Sequence, residues 1–177
     1  FRRALSEFNY SHSSCYNGRQ LDCLRIRQVE CGPKVFLILV ERNPMNHFDG
    51  VIFDMDGTLI ESLLDFSAIR DHLGVAREAG IIESVAAMPD GRRQEAHKWL
   101  LEQEVSSARK AALIPGAVET VQAVRSAGLK IALLTRNAGV AMRIILEKFD
   151  GLQFDLTWSR EDATVKPEPD GVLSACE

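Results

Sequence analysis

Two aspartates separated by one residue are the strongest candidates for chemistry in this sequence. Asp54 and Asp56 follow the apolar run at residues 51–53 and are followed by Gly57 and Thr58. An apolar run that ends in a turn signal predicts a short buried strand, and open α/β sheets bind ligands beyond the carboxyl ends of their strands. Residues i and i+2 of extended backbone lie on the same side. The pattern therefore predicts two carboxylates that face one ligand site.

This pair of carboxylates suits phosphoryl transfer. Asp54 is the candidate nucleophile, because an aspartate that attacks phosphorus forms an aspartyl-phosphate and divides hydrolysis into two steps. Asp56 is the candidate acid and base, which protonates the leaving oxygen and then deprotonates water. Attack by one anion on another requires neutralisation of charge, so we expect Mg²⁺ and a nearby lysine. We expect Thr58 to hold the loop by a hydrogen bond. The alternative is an ordinary Asp-Gly turn.

Further polar candidates follow later strands and loops. Thr135 comes after the apolar run at residues 129–134, where its hydroxyl can donate to a phosphoryl oxygen or cap the next helix. Arg136 and Asn137 either contact substrate or form a solvated loop. Lys166 lies in a Lys-Pro-Glu-Pro segment whose prolines stiffen the loop and would hold the ammonium in place, although a lysine before proline is commonly a surface residue.

The elements that must position these residues begin with a helical segment, residues 62–113. Phe66, Ile69 and Leu73 are spaced for one helix face, and Gly74 is a typical helix stop. We predict that the whole segment is a small, purely helical insert.

Two further helices are predicted inside this insert. One covers residues 77–88 and is ended by Pro89, and the other covers residues 92–113 with Asp90 as its candidate N-cap. Arg70 in the first helix can reach an anionic group of a substrate or lie on the surface.

Strands and helices alternate after the insert. The sequence predicts a helix over residues 117–127, a strand over 129–134, a helix over 140–149 and a strand over 154–157. Such alternation is typical of an α/β fold with a parallel, doubly wound sheet.

Residues 1–44 mix polar residues without clear periodicity, and the first methionine is Met45. We expect them to be an N-terminal extension outside the working domain, which would consist of residues 45–61 and 114–177 around the helical insert. The apolar run at residues 35–40 is too short to cross a bilayer and fits an extra edge strand or a signal-like segment.

The composition excludes some classes of partner. The 177 residues carry a formal net charge of -4, with the acidic excess after residue 44, which argues against binding to nucleic acid. We expect a cytoplasmic protein whose partner is a small phosphorylated metabolite, with no membrane partner. The sequence leaves the oligomeric state open.

Taken in order, these motifs resemble the haloacid dehalogenase-like superfamily of phosphohydrolases over about residues 48–175. Asp54-Met55-Asp56-Gly57-Thr58 matches the first family motif, residues 133–135 match the second, and Lys166-Pro167 matches the third. The resemblance implies a Rossmann-like core, a cap that closes over substrate, and Thr135 and Lys166 as phosphate ligands. It also implies Mg²⁺ held by the Asp54 carboxylate and the Asp56 backbone carbonyl. The similarity is greatest to the phosphoglycolate phosphatase-like branch with a small cap.

Two departures refine the expected function. Family members that cleave carbon–halogen bonds lack the second aspartate, so Asp56 indicates phosphoryl transfer. The family's fourth motif supplies another Mg²⁺ ligand, and the chain ends before such a motif, eleven residues after Lys166. We therefore expect a C-terminally incomplete Mg²⁺-dependent phosphatase with an unpaired sheet edge. The alternatives are a phosphomutase or a catalytically incomplete chain that only binds a partner.

Overall fold

A computed structural model describes the backbone of several strands before residue 49, and residues 49–162 and 172 with their side chains. The strands are β1 (Tyr10–Ser11), β2 (Cys15–Tyr16), β3 (Arg19–Gln20), β4 (Arg25–Glu30), β5 (Phe36–Asn43), β6 (His47–Phe53), β7 (Ile60–Glu61), β8 (Ala112–Leu113), β9 (Lys130–Leu134) and β10 (Leu156–Trp158). The helices are α1 (Phe66–Leu73), α2 (Ile81–Ala86), α3 (Asp90–Lys110), α4 (Ala117–Ser126) and α5 (Gly139–Lys148).

The central sheet has six strands in the order β1-β4-β5-β6-β9-β10. Strands β6, β9 and β10 are parallel, with Val51 opposite Ile131 and Leu156 opposite Ala132. Parallel strands in this register end at the same edge, so the residues after β6, β9 and β10 lie near one another. The predicted α/β class with a Rossmann-like parallel sheet is confirmed for this part of the molecule.

Strand β5 contains most of the apolar run that was expected to form either an extra edge strand or a signal-like segment. It pairs antiparallel with β6, with Leu37 opposite Phe53, and β4 covers its other side. The run is therefore an internal strand, and β6 has partners on both sides. The assignment of residues 1–44 to an extension stays a prediction, because much of that segment lies outside the described residues.

The apolar core lies between the parallel strands and helices α4 and α5. Phe53, Ile131 and Leu133 from the sheet are buried with Val121 of α4 and Ile145 of α5. Burying side chains of this size stabilises the fold by about 1.5–3 kcal/mol each. After residue 114, the predicted helices and strands are found within two residues of their expected bounds, whereas β6 begins at His47, four residues before the apolar run that predicted it.

Strand β10 begins two residues later than predicted, and Asp155 gives the reason. Its carboxylate accepts a hydrogen bond of 2.9 Å from the backbone amide of Ile131, and its own amide donates to the Ile131 carbonyl at 2.8 Å. The residue thus fastens the loop to β9 through its side chain before regular strand pairing starts. The hydrogen bond from the Ile131 amide to the Asp155 carboxylate is also the main cause that lowers the pKa of Asp155.

Helices α1, α2 and α3 lie in the predicted helical insert, which we call the cap. The insert is not purely helical, because α3 ends at Lys110 and Ala112–Leu113 forms β8. The cap is joined to the core at β7 and β8, where Ile60 pairs with Leu113. Helix α1 is capped by the Asp65 carboxylate, which accepts from the amides of Ser67 and Ala68, and it ends at Gly74 with a left-handed φ of 68°. The predicted stop at Gly74 is confirmed.

The start of α3 differs from the expectation. Pro89 occupies the N-cap position and Asp90 is the first helical residue, without a side-chain capping bond. The Asp90 carboxylate instead pairs with Arg93, one turn further along the same helix. Asp90 therefore stabilises the first turn as an acidic side chain at the positive end of the helix dipole.

The cap has an apolar cluster of its own, and α3 reaches from it into the core. Ala96 and Leu100 are buried in the cap cluster, whereas Ala108 is buried in the core cluster. Glu104 lies between these two groups on α3 and is itself buried. One continuous helix therefore joins the cap to the core, with a buried carboxylate at the junction.

Within the described residues, no helix is long and apolar enough to cross a membrane.

Candidate active site

The carboxylate pair is oriented by the residue between its members. Met55 is buried in the core at 1% exposure, whereas Asp54 and Asp56 on either side are only partly buried. Because neighbouring side chains of extended backbone point to opposite sides, burial of Met55 turns both carboxylates away from the core.

A tight turn follows the carboxylates. The amides of Leu59 and Ile60 both donate to the Met55 carbonyl, at 2.9 and 3.1 Å, and the amide of Gly57 donates to the Ile60 carbonyl at 2.9 Å. Gly57 has a φ of 73°, a conformation that glycine adopts without strain. Backbone bonds therefore hold this turn.

Thr58 was expected to hold the same loop through its side chain, and this was wrong. Its hydroxyl is buried and has no hydrogen-bond partner among the residues that the structure describes. The loop is held by the backbone hydrogen bonds to the Met55 carbonyl and not by the Thr58 hydroxyl. Thr58 as a whole is buried, at 3% exposure.

Asn137 connects the two strand ends. Its side-chain amide donates to Oδ2 of Asp56 at 2.6 Å, and its backbone amide donates to the Thr135 hydroxyl oxygen at 3.1 Å. A hydroxyl that accepts a bond keeps its own hydrogen for donation. Thr135 is anchored in turn by its backbone amide, which donates to the Trp158 carbonyl. The sequence predicted that Asn137 either contacts substrate or lies in a solvated loop. It did not predict the hydrogen bond to Asp56.

A cavity of about 380 Å³ lies between this end of the sheet and the cap. Small-molecule sites usually occupy about 300–1,000 Å³, so the space suits a small ligand. On the core side it is lined by five of the predicted site residues, Asp54, Asp56, Thr135, Arg136 and Asn137. The cap side contributes Leu64, Phe66, Ile69, Arg70, Gly80, Ile81, Ile82, Leu100 and Glu104. The sixth predicted residue, Lys166, lies outside the described residues.

Arg136 reaches across the cavity rim to the cap. Its guanidinium lies 2.6 Å from a carboxylate oxygen of Glu83 in α2, and both side chains are partly exposed. Ion pairs at such positions contribute about 0–1 kcal/mol. Arg136 therefore makes a weak link between core and cap in this structure, and its contact with substrate stays a prediction.

Glu104 makes a second link between cap and core, which the sequence did not indicate. Its carboxylate pairs with the Arg160 guanidinium, with both side chains at most 9% exposed, and accepts a hydrogen bond of 3.1 Å from the Ala138 amide. Burial raises the pKa of Glu104 above its usual value, although the charge of Arg160 opposes the change. The partners are 56 residues apart, which explains why no local pattern marks them.

The loop after β10 holds Arg160 in place. The buried Ser159 hydroxyl lies 2.6 Å from the Asp162 carboxylate and 2.9 Å from that of Glu161, and the Arg160 amide donates to the Asn137 carbonyl. Hydrogen bonds from the hydroxyl and the amide of Ser159 lower the pKa of Asp162. The loop is thus fastened to the same turn that carries Asn137.

The carboxylate pair has the donor chemistry of a magnesium site. Within the described residues there is no group of three or more His, Cys, Asp or Glu side chains that could hold a metal ion. Mg²⁺ commonly binds to one or two carboxylates and completes its octahedral shell with water and substrate phosphate oxygens. Asp54 and Asp56, both lining the cavity, fit that mode of binding.

Solved structures share this fold. A hydrolase from Pseudomonas syringae matches with a TM-score of 0.55 and 23% identity, over 70% of this chain and 65% of that one. A predicted phosphoglycolate phosphatase from Haemophilus somnus matches with a TM-score of 0.54 and 17% identity, over 75% of this chain and 72% of that one.

Sequence relatives agree with the structural matches. A haloacid dehalogenase-like hydrolase domain-containing protein of Arabidopsis thaliana is 30% identical over 145 residues, and an uncharacterized hydrolase of Saccharomyces cerevisiae is 27% identical over 135 residues. The alignments cover 76% and 73% of this chain, but the chain spans only 59% and 62% of the length of those relatives. The sequence model of the haloacid dehalogenase-like hydrolases matches residues 48–177. The chain belongs to the haloacid dehalogenase-like hydrolase family.

Proposed function

We propose that this hydrolase is a Mg²⁺-dependent phosphatase that acts on a small phosphorylated metabolite through an aspartyl-phosphate. The observation that carries the proposal is the shared cavity, in which Asp54, Asp56 and Thr135 line one wall. The hydrogen bond from Asn137 to Asp56 supports it, because an acid–base group must be held in one orientation.

Each of these residues has a role in the proposed reaction. A carboxylate oxygen of Asp54 attacks phosphorus, while Asp56 gives its proton to the departing oxygen. Asp56 then removes a proton from water that attacks the same phosphorus, which releases phosphate and restores Asp54. The Thr135 hydroxyl donates to a phosphoryl oxygen throughout. Bound Mg²⁺ would neutralise charge on the phosphoryl oxygens.

Phosphate release from p-nitrophenyl phosphate in the presence of Mg²⁺ tests the proposal. We expect Asp54→Asn to lower kcat by about a thousandfold or more, because the first step loses its nucleophile. Asp71→Asn is the matched control, since Asp71 is exposed on α1 and does not line the cavity. We expect EDTA to abolish turnover and excess Mg²⁺ to restore it.

Three outcomes would contradict the proposal. Equal activity of Asp54→Asn and the unsubstituted chain would exclude Asp54 as nucleophile. Activity that persists in EDTA would exclude the dependence on Mg²⁺. A sugar phosphate that is converted to its isomer without release of inorganic phosphate would identify a phosphomutase instead.

A further inference from the structure

The turn between β9 and α5 carries two of the site residues, Thr135 and Asn137, and the helix that follows cannot cap itself. Ala138 occupies the N-cap position of α5 and makes no side-chain hydrogen bond. A Ser, Thr, Asp or Asn at this position would accept a bond from the first amides of the helix, whereas alanine has no side-chain acceptor. The acceptors at the start of α5 must therefore come from other parts of the chain.

Two carboxylates from distant elements supply these acceptors. Glu104 in α3 accepts from the Ala138 amide at 3.1 Å. Glu161, in the loop after β10, accepts from the Gly139 amide at 2.7 Å. Arg160 pairs with both acids. Negative charge at this end of α5 is also favoured by the helix dipole. Three charged side chains from the cap and from the loop after β10 thus hold the start of α5.

The peptide group between Asn137 and Ala138 is held at both of its polar atoms. The Ala138 amide donates to Glu104, and the Asn137 carbonyl accepts from the backbone amide of Arg160 at 3.2 Å. Because a peptide group is planar, fixing its amide and its carbonyl fixes the plane. The ion pair of Glu104 with Arg160 closes a ring of hydrogen bonds around this peptide. The backbone that carries the Asn137 side chain is therefore fixed in position.

On the basis of the proposed phosphatase function, we propose that Glu104 and Arg160 are positioning residues for Asn137 and, through it, for Asp56. The Asn137 side chain donates to Asp56 at 2.6 Å, so a shift of its backbone displaces this donor. Displacing a group at the reacting centre by about 1 Å can lower a rate by about a hundredfold. Glu104 acts through the peptide, because its two carboxylate oxygens are bonded to Arg160 and to the Ala138 amide.

A second bond between α3 and α5 provides a matched control. The ammonium of Lys148, in the last turn of α5, donates to the Arg109 and Ala111 carbonyls at 2.9 and 2.7 Å. Lys148 therefore links the end of α3 to the same helix that Glu104 contacts, but at the opposite end of α5 from Asn137. If Glu104 only attached the two helices to each other, Lys148→Met and Glu104→Gln would affect the reaction alike.

The first measurement is turnover of p-nitrophenyl phosphate with Mg²⁺, at a temperature where circular dichroism shows every variant folded. We expect Glu104→Gln to lower kcat by about tenfold, as for a small displacement of a reacting group, with little change in KM. Lys148→Met should leave kcat unchanged. A rise in KM at unchanged kcat would identify Glu104 as a substrate contact and overturn the proposal.

A double-mutant cycle tests whether Glu104 acts through Asn137. In the Asn137→Ala chain, Glu104→Gln should lower kcat little further, because the side chain that it positions is already gone. Losses that multiply would overturn the proposal. Arg160→Lys keeps the charge but not the planar guanidinium, so its loss of kcat should be smaller. Arg160→Lys replaces Glu104→Gln in the cycle if the latter does not fold.

The side-chain amide of Asn137 gives a readout that requires no turnover. Its signals in a nitrogen–proton NMR spectrum, assigned by their loss in Asn137→Ala, should shift in Glu104→Gln and stay in place in Lys148→Met. This result without turnover by the unsubstituted chain would support the positioning role and contradict hydrolysis. Turnover with Asn137 signals that move in neither Glu104→Gln nor Arg160→Lys would overturn the positioning role and leave hydrolysis standing. Equal shifts in Lys148→Met would also overturn it.

Discussion

The two walls of the cavity are built in different ways. On the core wall, Asp56 and Thr135 are both tied to Asn137 by hydrogen bonds from its side-chain and backbone amides. On the cap wall, the lining is mostly apolar, and Arg70 is tied to the Arg77 carbonyl through its Nε. A wall whose polar groups hold one another suits a fixed reaction, whereas a mainly apolar wall suits the exclusion of water from a bound ligand. Under the proposed function, we expect the reacting groups to come from the core wall and the apolar contacts with the ligand to come from the cap wall.

The largest effect is expected at the junction between the walls. Glu104→Ala removes the partner of the buried Arg160, and breaking a buried ion pair from one side costs about 3–5 kcal/mol. We expect urea unfolding to show this loss, with Glu102→Ala, an exposed glutamate on the same helix, as the control. If the two variants were equally stable, the pair of Glu104 and Arg160 would not stabilise the junction between cap and core.

A double variant sharpens this experiment. Removing Glu104 leaves the buried Arg160 guanidinium without its carboxylate, so the unpaired charge should cause much of the loss. Glu104→Met combined with Arg160→Met should therefore be more stable than Glu104→Ala alone. A double variant that is less stable than Glu104→Ala alone would contradict this expectation.

The next effect concerns the core wall alone. Asn137→Ala removes a hydrogen bond to a carboxylate, and such bonds are worth about 1.5–3 kcal/mol, so we expect kcat to fall by about tenfold to a hundredfold. The same hydrogen bond contributes to the fold, so we expect the free energy of unfolding to fall by at most about 1.5–3 kcal/mol. Gln94→Ala, at an exposed amide in the cap, is the control. An unchanged kcat would show that Asp56 needs no positioning.

A smaller effect is expected at the rim. Glu83→Gln breaks the partly exposed pair with Arg136, and we expect the free energy of unfolding to fall by less than about 1 kcal/mol. A double-mutant cycle with Arg136→Gln, measured at low and high salt, would give the coupling energy. A coupling energy of several kcal/mol that does not change with salt would contradict this expectation. The pair of Glu83 and Arg136 would then stabilise the contact between cap and core as strongly as the pair of Glu104 and Arg160.

The smallest effect depends on pH and concerns the loop that holds Arg160. The pKa of Asp162 is lowered in the folded chain, so its contribution to stability is present above the ordinary value of 3.8 and is lost as the pH falls through the folded pKa. The difference in Tm between the unsubstituted chain and Asp162→Asn should therefore shrink below pH 3.8. A Tm difference that grows as the pH falls would contradict the lowered pKa of Asp162.

Residues that are close in sequence could be predicted well, and those brought together by packing could not. The paired aspartates after a strand, Thr135 after the next strand and the stop at Gly74 depend on local patterns. The pair formed by Glu104 and Arg160 depends on where α3 lies relative to the loop after β10. The contact of Asn137 with Asp56 spans 81 positions and likewise required the folded register. The placement of β5 inside the sheet required knowledge of its strand partners.

The continuity of α3 has a mechanical consequence. A helix of 21 residues is about 31 Å long at 1.5 Å per residue, and this one begins in the cap cluster and ends in the core cluster. The cap is therefore attached to the core through a stiff rod as well as through the short β7 and β8 connections. The cavity can widen if α3 bends near Glu104 or if α1 and α2 move relative to α3. We expect the second movement to require less energy, because it leaves the continuous helix intact.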